Sequence, residues 1–244
     1  MKKLTSSFIL FFITISIYSQ TMKIIYEERA NIDYQLRNEK DEETRKRVAS
    51  FLSKPTVYIL IIKNDESQYI LANNVPDTKE NQSIEDEISN NKVMKLGTSN
   101  TGLYKNHSTG SFMNEADIFG KKVIIKDSII NFNWEITDET KTIGNFVCKK
   151  ATAVYNNNKI NAWFTDKIPV SEGPYIYGGL PGLIIELDNG PKIFAVTKIE
   201  QTKEDFKFYI PPTNGKTITQ KEYDKKLNDL IDELKAGKAI NADD

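Results

Sequence analysis

The stretch Gly178-Gly179-Leu180-Pro181-Gly182-Leu183-Ile184-Ile185-Glu186-Leu187 decides the fold, because a rigid turn leads directly into a strand pattern. Leu180 to Leu183 predict a type II turn, since proline fixes φ near −65° at the second position and glycine accepts the positive φ of the third. The residues that follow alternate as in a strand. The two predicted faces are Leu183, Ile185 and Leu187, and Ile184, Glu186 and Asp188.

The wider loop from Pro169 to Gly182 holds four of the twelve glycines and three of the eight prolines. Aromatic side chains supply large contact area with a polar edge, and they gather in binding sites. We therefore predict a motif that either binds something or only shapes the backbone, with its aromatic side chains in the core. Its residues are Trp163, Gly173, Pro174, Tyr175, Tyr177, Gly178, Gly179, Leu180, Pro181, Gly182, Leu183 and Ile184.

The run GLPGLI at residues 179–184 carries a resemblance to a known family. It is preceded by Trp163-Phe164-Thr165, Ile168-Pro169 and Gly173-Pro174, and before these by the stretch 144–151. In order and spacing, residues 144–187 resemble the GLPGLI family of secreted bacterial proteins, which has no established biochemical activity. The resemblance also implies a distant, fold-level similarity to the half-open β-barrels of periplasmic lipoprotein carriers.

Residues 1–19 read as a signal peptide. Lys2 and Lys3 precede a short apolar run from Phe8 to Ile17, and the run is too short to cross a bilayer as a helix. We predict cleavage near Ser19, export to the periplasm or the outer membrane, and a single β domain over residues 20–244. No later apolar stretch is long enough for a transmembrane helix.

Charge and cysteine content exclude several classes of protein. The chain has 33 basic and 34 acidic residues, so the basic surface expected of a nucleic-acid-binding protein is missing. Cys148 is the only cysteine, so no internal disulfide can form. Because Cys148 lies in an alternating strand pattern, we predict a free, buried thiol.

The predicted fold class is mainly β (α+β). We expect a single curved antiparallel sheet or an incomplete barrel, with a C-terminal helix and one short helix packed on it. Successive short connections predict a meander in the second half of the chain. Predicted strands cover residues 22–28, 57–62, 69–71, 130–136, 147–155, 159–165, 183–187, 193–199 and 206–210.

Other patterns predict helices, turns and a loop. A short helix is expected over residues 42–53, and a polar, mobile insertion over residues 76–102. Asp138-Glu139-Thr140 predicts a turn. Thr219 and Glu222 form a capping box that begins the last helix, with Ile218 and Tyr223 as its hydrophobic staple.

The residues needed for most catalytic chemistry are missing. His107 is the sole histidine, so a multi-histidine metal site is impossible, and we interpret it as a solvated loop residue. No nucleotide-binding glycine loop and no nucleophile elbow occur, so we predict no cofactor and no enzymatic activity. Two acids near the Gly178–Gly182 turn, Glu172 and Glu186, are the first pair to test for carboxylate catalysis.

Three functions follow as hypotheses. The first is a non-catalytic envelope protein that binds an apolar ligand, or an apolar segment of an envelope protein, in the hollow of a curved sheet. The alternative is an accessory of an outer-membrane TonB-dependent transporter, which the family resemblance implies and which requires an exposed Pro169–Gly182 loop. The remote alternative is a carboxylate-dependent hydrolase.

Overall fold

A computed structural model of the chain describes residues 21–74, 102–118, 121–212 and 215–235. The predicted signal peptide and all of the predicted insertion except Gly102 lie outside these residues. Within the four ranges, no helix has both the length and the apolar character needed to cross a membrane.

Twelve strands and three helices are described. The strands are β1 (Thr21–Ala30), β2 (Thr56–Lys63), β3 (Glu66–Leu71), β4 (Leu103–Asn106), β5 (Ser111–Ile118), β6 (Lys121–Ser128), β7 (Glu135–Ile143), β8 (Phe146–Tyr155), β9 (Asn158–Thr165), β10 (Leu183–Asp188), β11 (Lys192–Thr202) and β12 (Thr217–Ile218). The helices are α1 (Ile32–Gln35), α2 (Glu42–Leu52) and α3 (Gln220–Lys235), and a 3₁₀ turn covers Ala72–Asn74.

The strands form one open sheet in the order β12-β6-β5-β4-β3-β2-β1-β11-β10-β9-β8-β7. The described pairs are antiparallel, except that β12 runs parallel to β6. Strand β1 lies between β2 and β11 and joins two meanders, one on either side of it. The predicted mainly β architecture with an open antiparallel sheet is therefore confirmed.

The sheet curls around helix α3. At one end of the sheet, the backbone N–H of Gln220 donates to a carboxylate oxygen of Asp127 in β6 at 3.1 Å. At the other end, the hydroxyl of Tyr155 in β8 donates to the carboxylate of Asp224 at 2.9 Å. Because β6 and β8 are each next to the last strand of the sheet, α3 bridges the gap that the open sheet leaves.

The predicted start of α3 is confirmed. The hydroxyl of Thr219 accepts from the backbone N–H of Glu222 at 3.2 Å, and the Glu222 carboxylate accepts from the Thr219 N–H at 2.7 Å. Ile218 and Tyr223 are both buried, as a hydrophobic staple requires. The capping box thus fixes where the helix begins and which face it turns to the sheet.

One predicted strand and one predicted turn are wrong. Residues 129–134 form an irregular segment, because Asn133 adopts a positive φ of 49° and interrupts the extended backbone. Phe132 is nevertheless buried, since the segment crosses the core. The predicted turn at 138–140 lies inside β7, where the strand register shifts between Ile136 and Thr140.

The alternation of Phe206, Phe208 and Ile210 also does not produce a strand. Residues 203–212 instead run over the outer face of the sheet. The side-chain amide of Gln68 donates to the Tyr209 carbonyl at 3.0 Å and accepts from the Tyr209 N–H at 3.1 Å. One glutamine side chain thus replaces the backbone partners that a neighbouring strand would supply.

A candidate binding cavity under helix α3

A cavity of about 380 Å³ lies between the inner face of the sheet, the Pro169–Gly182 loop and helix α3. The sheet contributes residues from both meanders, and α3 forms part of the wall. The lining includes six tyrosines: Tyr58, Tyr69, Tyr155, Tyr175, Tyr177 and Tyr223. Its other polar side chains include Glu28, Asn114, Asn156, Asn158, Asn189, Lys192, Gln220, Asp224 and Asn228.

The tyrosine side chains of the lining are uncharged, and two of their rings stack on each other. The rings of Tyr58 and Tyr69 stack with their centres 4.8 Å apart. Burial raises the pKa of Tyr223 and of Tyr177 to about 12, so their hydroxyls stay protonated at neutral pH. The tyrosines therefore present both aromatic faces and neutral hydroxyl groups to the cavity.

Three buried polar atoms of the lining lack a hydrogen-bond partner in the described part of the chain. They are the Tyr69 hydroxyl, Oδ1 of Asn114 and Oε1 of Gln220. Tyr69, Asn114 and Gln220 are each only 3% exposed. A buried polar group without a partner costs about 1–3 kcal/mol, so such groups are rare in native proteins. All three atoms belong to residues that line the cavity, but the atoms themselves each expose less than 1 Å².

The Pro169–Gly182 loop reaches the cavity through Tyr175, Ile176 and Tyr177. Tyr175 has a positive φ of 52°, which is uncommon for an aromatic residue. Such strain persists only where the surroundings impose it, and it is concentrated at functional sites. The backbone of the loop therefore holds an aromatic ring at the cavity in a conformation that an unconstrained chain avoids.

The turn at the end of the loop differs from the prediction. The N–H of Gly182 donates to the carbonyl of Leu180 at 2.8 Å, which closes a three-residue γ-turn instead of a type II turn. The predicted positive φ at Gly182 is confirmed, with a value of 154°. A Cβ at this position would lie 2.1 Å from the Thr165 carbonyl oxygen, so only glycine fits.

The predicted faces of β10 are also wrong, because a bulge interrupts the strand at Ile185. Leu183 pairs with Thr165 and Ile184 with Phe164, but Glu186 then pairs with Trp163. Ile184 and Leu187 consequently share one face, while Leu183 and Glu186 share the other. Simple alternation cannot reveal a bulge, since the extra residue leaves no compositional mark.

Glu172 fixes the Pro169–Gly182 loop to strands β3 and β4, which belong to the other half of the sheet. The carboxylate is almost fully buried and accepts from the Lys105 ammonium at 2.9 Å, the Ser67 hydroxyl at 2.5 Å and Nε2 of His107 at 2.6 Å. Lys105 also donates to the carbonyl of Tyr177 at 3.1 Å. These contacts hold the tyrosine end of the loop against β3 and β4.

The Glu172 carboxylate is ionised in this setting. Burial raises its pKa, but the charge of Lys105 and the hydrogen bonds from His107, Ser67 and Lys105 lower it to about 2. An ionised carboxylate only accepts hydrogen bonds, so His107 carries its proton on Nε2. The interpretation of His107 as a solvated loop residue was incomplete: its side chain is 36% exposed, yet it contacts a buried acid.

The two acids proposed as a catalytic pair have different partners. Glu186 accepts from the Lys141 ammonium at 2.6 Å, on the face of the sheet that carries Trp163. Glu172 belongs to the buried network on the inner side. The structure therefore gives each acid its own lysine and brings neither to a common cleft.

The remaining predicted motif residues are mostly structural. Gly173 packs against Ile184, and Leu180, Leu183 and Ile184 are buried in the core. Trp163 is half-buried beside Lys141 and does not line the cavity. Between Glu172 and Gly182, the exposed residues are Gly179 and Pro181, while Pro174 and Gly178 are buried.

Two further predictions concern cysteine and metal. Cys148 is free and fully buried, as predicted, and burial raises the pKa of its thiol. Among the residues that the structure describes, no three His, Cys, Asp or Glu side chains are grouped to hold a metal ion.

Sequence reasoning missed most of the cavity. Tyr58 and Tyr69 come from the neighbouring strands β2 and β3, whereas Asn114 and Gln220 come from β5 and α3, which lie far from them in the chain. None of these residues belongs to a local motif, and only the fold brings them together. Tyr175 and Tyr177 are the two that the composition of the loop could identify.

Comparison with known proteins gives two findings. The family model described as N-glycanase peptide, N-terminal domain, matches residues 54–225. Two crystal forms of PNGF-II, in space groups P21 and C2, have the same fold, with TM-scores of 0.53 and 0.51 at 18% identity. The likeness covers 85% of this chain but 33% and 32% of PNGF-II, so this chain spans about a third of that protein. No curated protein matches the sequence.

Proposed function

We propose, on the premise that this chain belongs to the N-glycanase peptide N-terminal domain family, that it is a binding module. In this proposal the cavity under α3 holds an amphipathic ligand, and no bond of the ligand is made or broken. The observation that carries the proposal is the cavity itself, which is lined by six tyrosines and by several polar side chains.

The ligand needs both apolar and polar parts. Six tyrosines offer ring surface, which supports the predicted apolar character of the ligand. Other polar side chains of the lining, such as Asn156, Asn158 and Asn228, offer hydrogen-bonding groups to a polar edge of the ligand. A ligand with a hydrophobic face and a hydrogen-bonding edge meets both needs.

The family supports a role beside an enzyme. Its description names the N-terminal domain of an N-glycanase, and the matched PNGF-II chain is about three times as long as the matched region. We propose that this domain holds a ligand while chemistry, where there is any, belongs to another part of a longer assembly. Export to the periplasm and the GLPGLI resemblance remain part of the proposal.

The alternative role as an accessory of a TonB-dependent transporter fits the geometry less well. It requires the tyrosines of the Pro169–Gly182 loop to be available to a partner. Tyr177 is buried, and Tyr175 lines the cavity. The loop therefore points its aromatic side chains into the molecule.

Replacing Asn114 tests the proposal. Asn114→Leu keeps the side-chain size and removes the unpartnered acceptor, so the empty protein should become more stable by about 1–3 kcal/mol. The same change should remove the ligand that native mass spectrometry finds on the wild-type protein after expression with export. Stability is measured by urea unfolding of ligand-free protein.

Asn161→Leu is the matched control, because Asn161 lies on β9, is half-buried and does not line the cavity. It should leave the bound ligand in place. A wild-type protein that carries no ligand after native extraction, or Asn114→Leu protein that carries the same ligand as wild type, would contradict the proposed function.

A further inference from the structure

Helix α2 belongs to a long connection between two neighbouring strands. Strand β1 ends at Ala30 and β2 begins at Thr56, although the two strands pair directly and a hairpin loop of about two to five residues could join them. The connection over residues 31–55 therefore contains structure that the sheet itself does not need. Long connections in compact domains often have a function, as binding loops or as lids over a site.

The first part of this connection is fixed to the rim of the cavity. The hydroxyl of Tyr34 donates to Oδ1 of Asn158 at 2.6 Å. The side-chain amide of Gln35 donates to the carbonyl of Pro191 at 3.2 Å. Asn158, Pro191 and Glu28, near the end of β1, all line the cavity. The connection thus leaves the sheet at the end where the cavity lies, and α1 holds its beginning beside the lining.

Helix α2 itself is poorly packed. None of its residues is buried, and the side chain of Phe51 is 68% exposed. Val48 and Leu52 lie on the same side of the helix as Phe51 and are only half-buried. In the described part of the chain, the side-chain hydrogen bonds and the ion pair of α2 reach no further than residues 36–53.

A helix of this size needs a surface to pack against. Isolated helices shorter than about 12–15 residues are marginal in water, and most helices in proteins depend on the packing of an apolar face. Helix α2 has 11 residues. The tyrosine-lined cavity offers aromatic surface next to the place where α1 is anchored, and aromatic rings pack favourably on one another.

We propose that α2 is a lid, which closes over the mouth of the cavity by placing Phe51 against the tyrosines of the lining. The lid turns about residues 36–41 and 53–55, which form turns and irregular backbone on either side of the helix. The structure shows it open, with Phe51 in solvent. This inference rests on the proposed binding function and states how access to the same site is controlled.

Disulfide trapping in the ligand-free full chain tests the lid. Val48→Cys places a thiol about one turn before Phe51 on the same side of α2, and either Asn228→Cys or Lys192→Cys places a second thiol on the lining. The native Cys148 is fully buried and does not compete. Oxidation with copper phenanthroline should form an intramolecular disulfide with at least one of the two lining positions, because this bond requires Cα atoms within about 7 Å of each other.

Matched variants connect the trapping to the proposed face of the helix. Lys46→Cys, on the opposite side of α2, should form the disulfide at least about tenfold more slowly than Val48→Cys. Adding Phe51→Ser to the Val48→Cys pair should slow trapping about tenfold, because burial of the phenylalanine ring favours the closed state. Ile210→Ser is the control, since Ile210 is also an exposed apolar residue, 53% exposed, but lies on the outer face of the sheet. It should leave the trapping rate unchanged.

Three results would overturn the lid. They are the absence of an intramolecular disulfide with both lining positions, equal trapping from Lys46→Cys and Val48→Cys, and a trapping rate that Phe51→Ser does not change. Disulfides that form only between two molecules would assign the apolar side of α2 to a second copy of the chain instead. Because trapping requires no ligand, a protein that carries a ligand in native mass spectrometry but shows no trapping contradicts the lid alone, whereas an empty cavity in that measurement contradicts the proposed binding function.

Discussion

At the scale of single residues, Gly182 is the position where a side chain is least tolerated. Its φ of 154° is unfavourable for other residues, and a Cβ would lie 2.1 Å from a backbone oxygen of Thr165. Gly182→Val should therefore lower the free energy of unfolding by more than about 4 kcal/mol, because the backbone of β9 cannot move aside. Urea unfolding followed by circular dichroism measures the loss.

Gly179 provides the control for backbone strain alone. Its φ is 85°, and nothing lies within 4 Å of a Cβ placed there. Gly179→Ala should cost about 1–2 kcal/mol, which is the usual penalty for a left-handed conformation. Equal losses for the two variants would show that the close approach of Gly182 to Thr165 does not matter.

Residue-level prediction from the sequence succeeds where the cause is local. Glycine at 182 and a buried Cys148 follow from turn chemistry and strand alternation. The role of Glu172 does not, because its partners Ser67, Lys105 and His107 lie 65 to 105 residues away in the chain. A lone histidine in a polar stretch and a glutamate after a serine carry no sign of each other.

At the scale of secondary-structure elements, helix α3 depends on one side chain for its position over the cavity. Asp224 accepts from Tyr155 and Asn156 on the β8–β9 hairpin, so it ties the helix to that end of the sheet. Asp224→Ala should free the helix, and its backbone amides should exchange at least about tenfold faster, since hydrogen bonds to a charged group contribute about 1.5–3 kcal/mol. Hydrogen–deuterium exchange of the ligand-free protein measures this directly.

Asp229→Ala is the matched variant on the same helix. Asp229 is largely exposed and contacts only Lys225 among its described ion-pair partners, at 3.6 Å. An exposed pair of this kind contributes about 0.3–0.5 kcal/mol, so exchange should change little. If both variants accelerate exchange equally, Asp224 has no special role in docking the helix.

Some secondary-structure elements can be predicted from local sequence patterns, and others cannot. The start of α3 is predictable, because its capping box is complete within four residues. Phe206, Phe208 and Ile210 alternate as in a strand, but their backbone pairs with the side chain of Gln68, which substitutes for a strand. The alternation of apolar residues indicates which side chains are buried, but it does not indicate what the backbone hydrogen-bonds to.

At the scale of the whole molecule, Glu172 makes stability depend on pH. Its pKa of about 2 in the folded protein lies below the ordinary value of 4.5. The ionised form therefore stabilises the fold above pH 4.5, and this contribution of about 3 kcal/mol is lost as the pH falls from 4.5 to 2. Urea unfolding at a series of pH values should show the decline.

Glu172→Gln identifies the source of that decline. At pH 7 this variant should be less stable than wild type by about 3–5 kcal/mol, because it leaves the Lys105 charge buried without its carboxylate. The gap should narrow as the pH falls towards 2. A constant gap in stability between wild type and Glu172→Gln across this range would mean that another acid controls the pH response.

The sheet order could be predicted only in part. The second-half meander follows from short connections between neighbouring strands. The place of β1 between β2 and β11, and the parallel pairing of β12 with β6, depend on contacts between distant parts of the chain. Sequence patterns describe each strand but contain no local signal for such partners.

The central place of β1 has a consequence for biosynthesis. Its residues 21–30 leave the ribosome early, but one of its two partners, β11, ends only at residue 202. Until β11 has been synthesised, one edge of this central strand has no partner strand. Long-range pairing of this kind is slow and leaves the nascent chain open to wrong association. Maturation of the domain must therefore wait until β11 has been synthesised, however early its first strand is made.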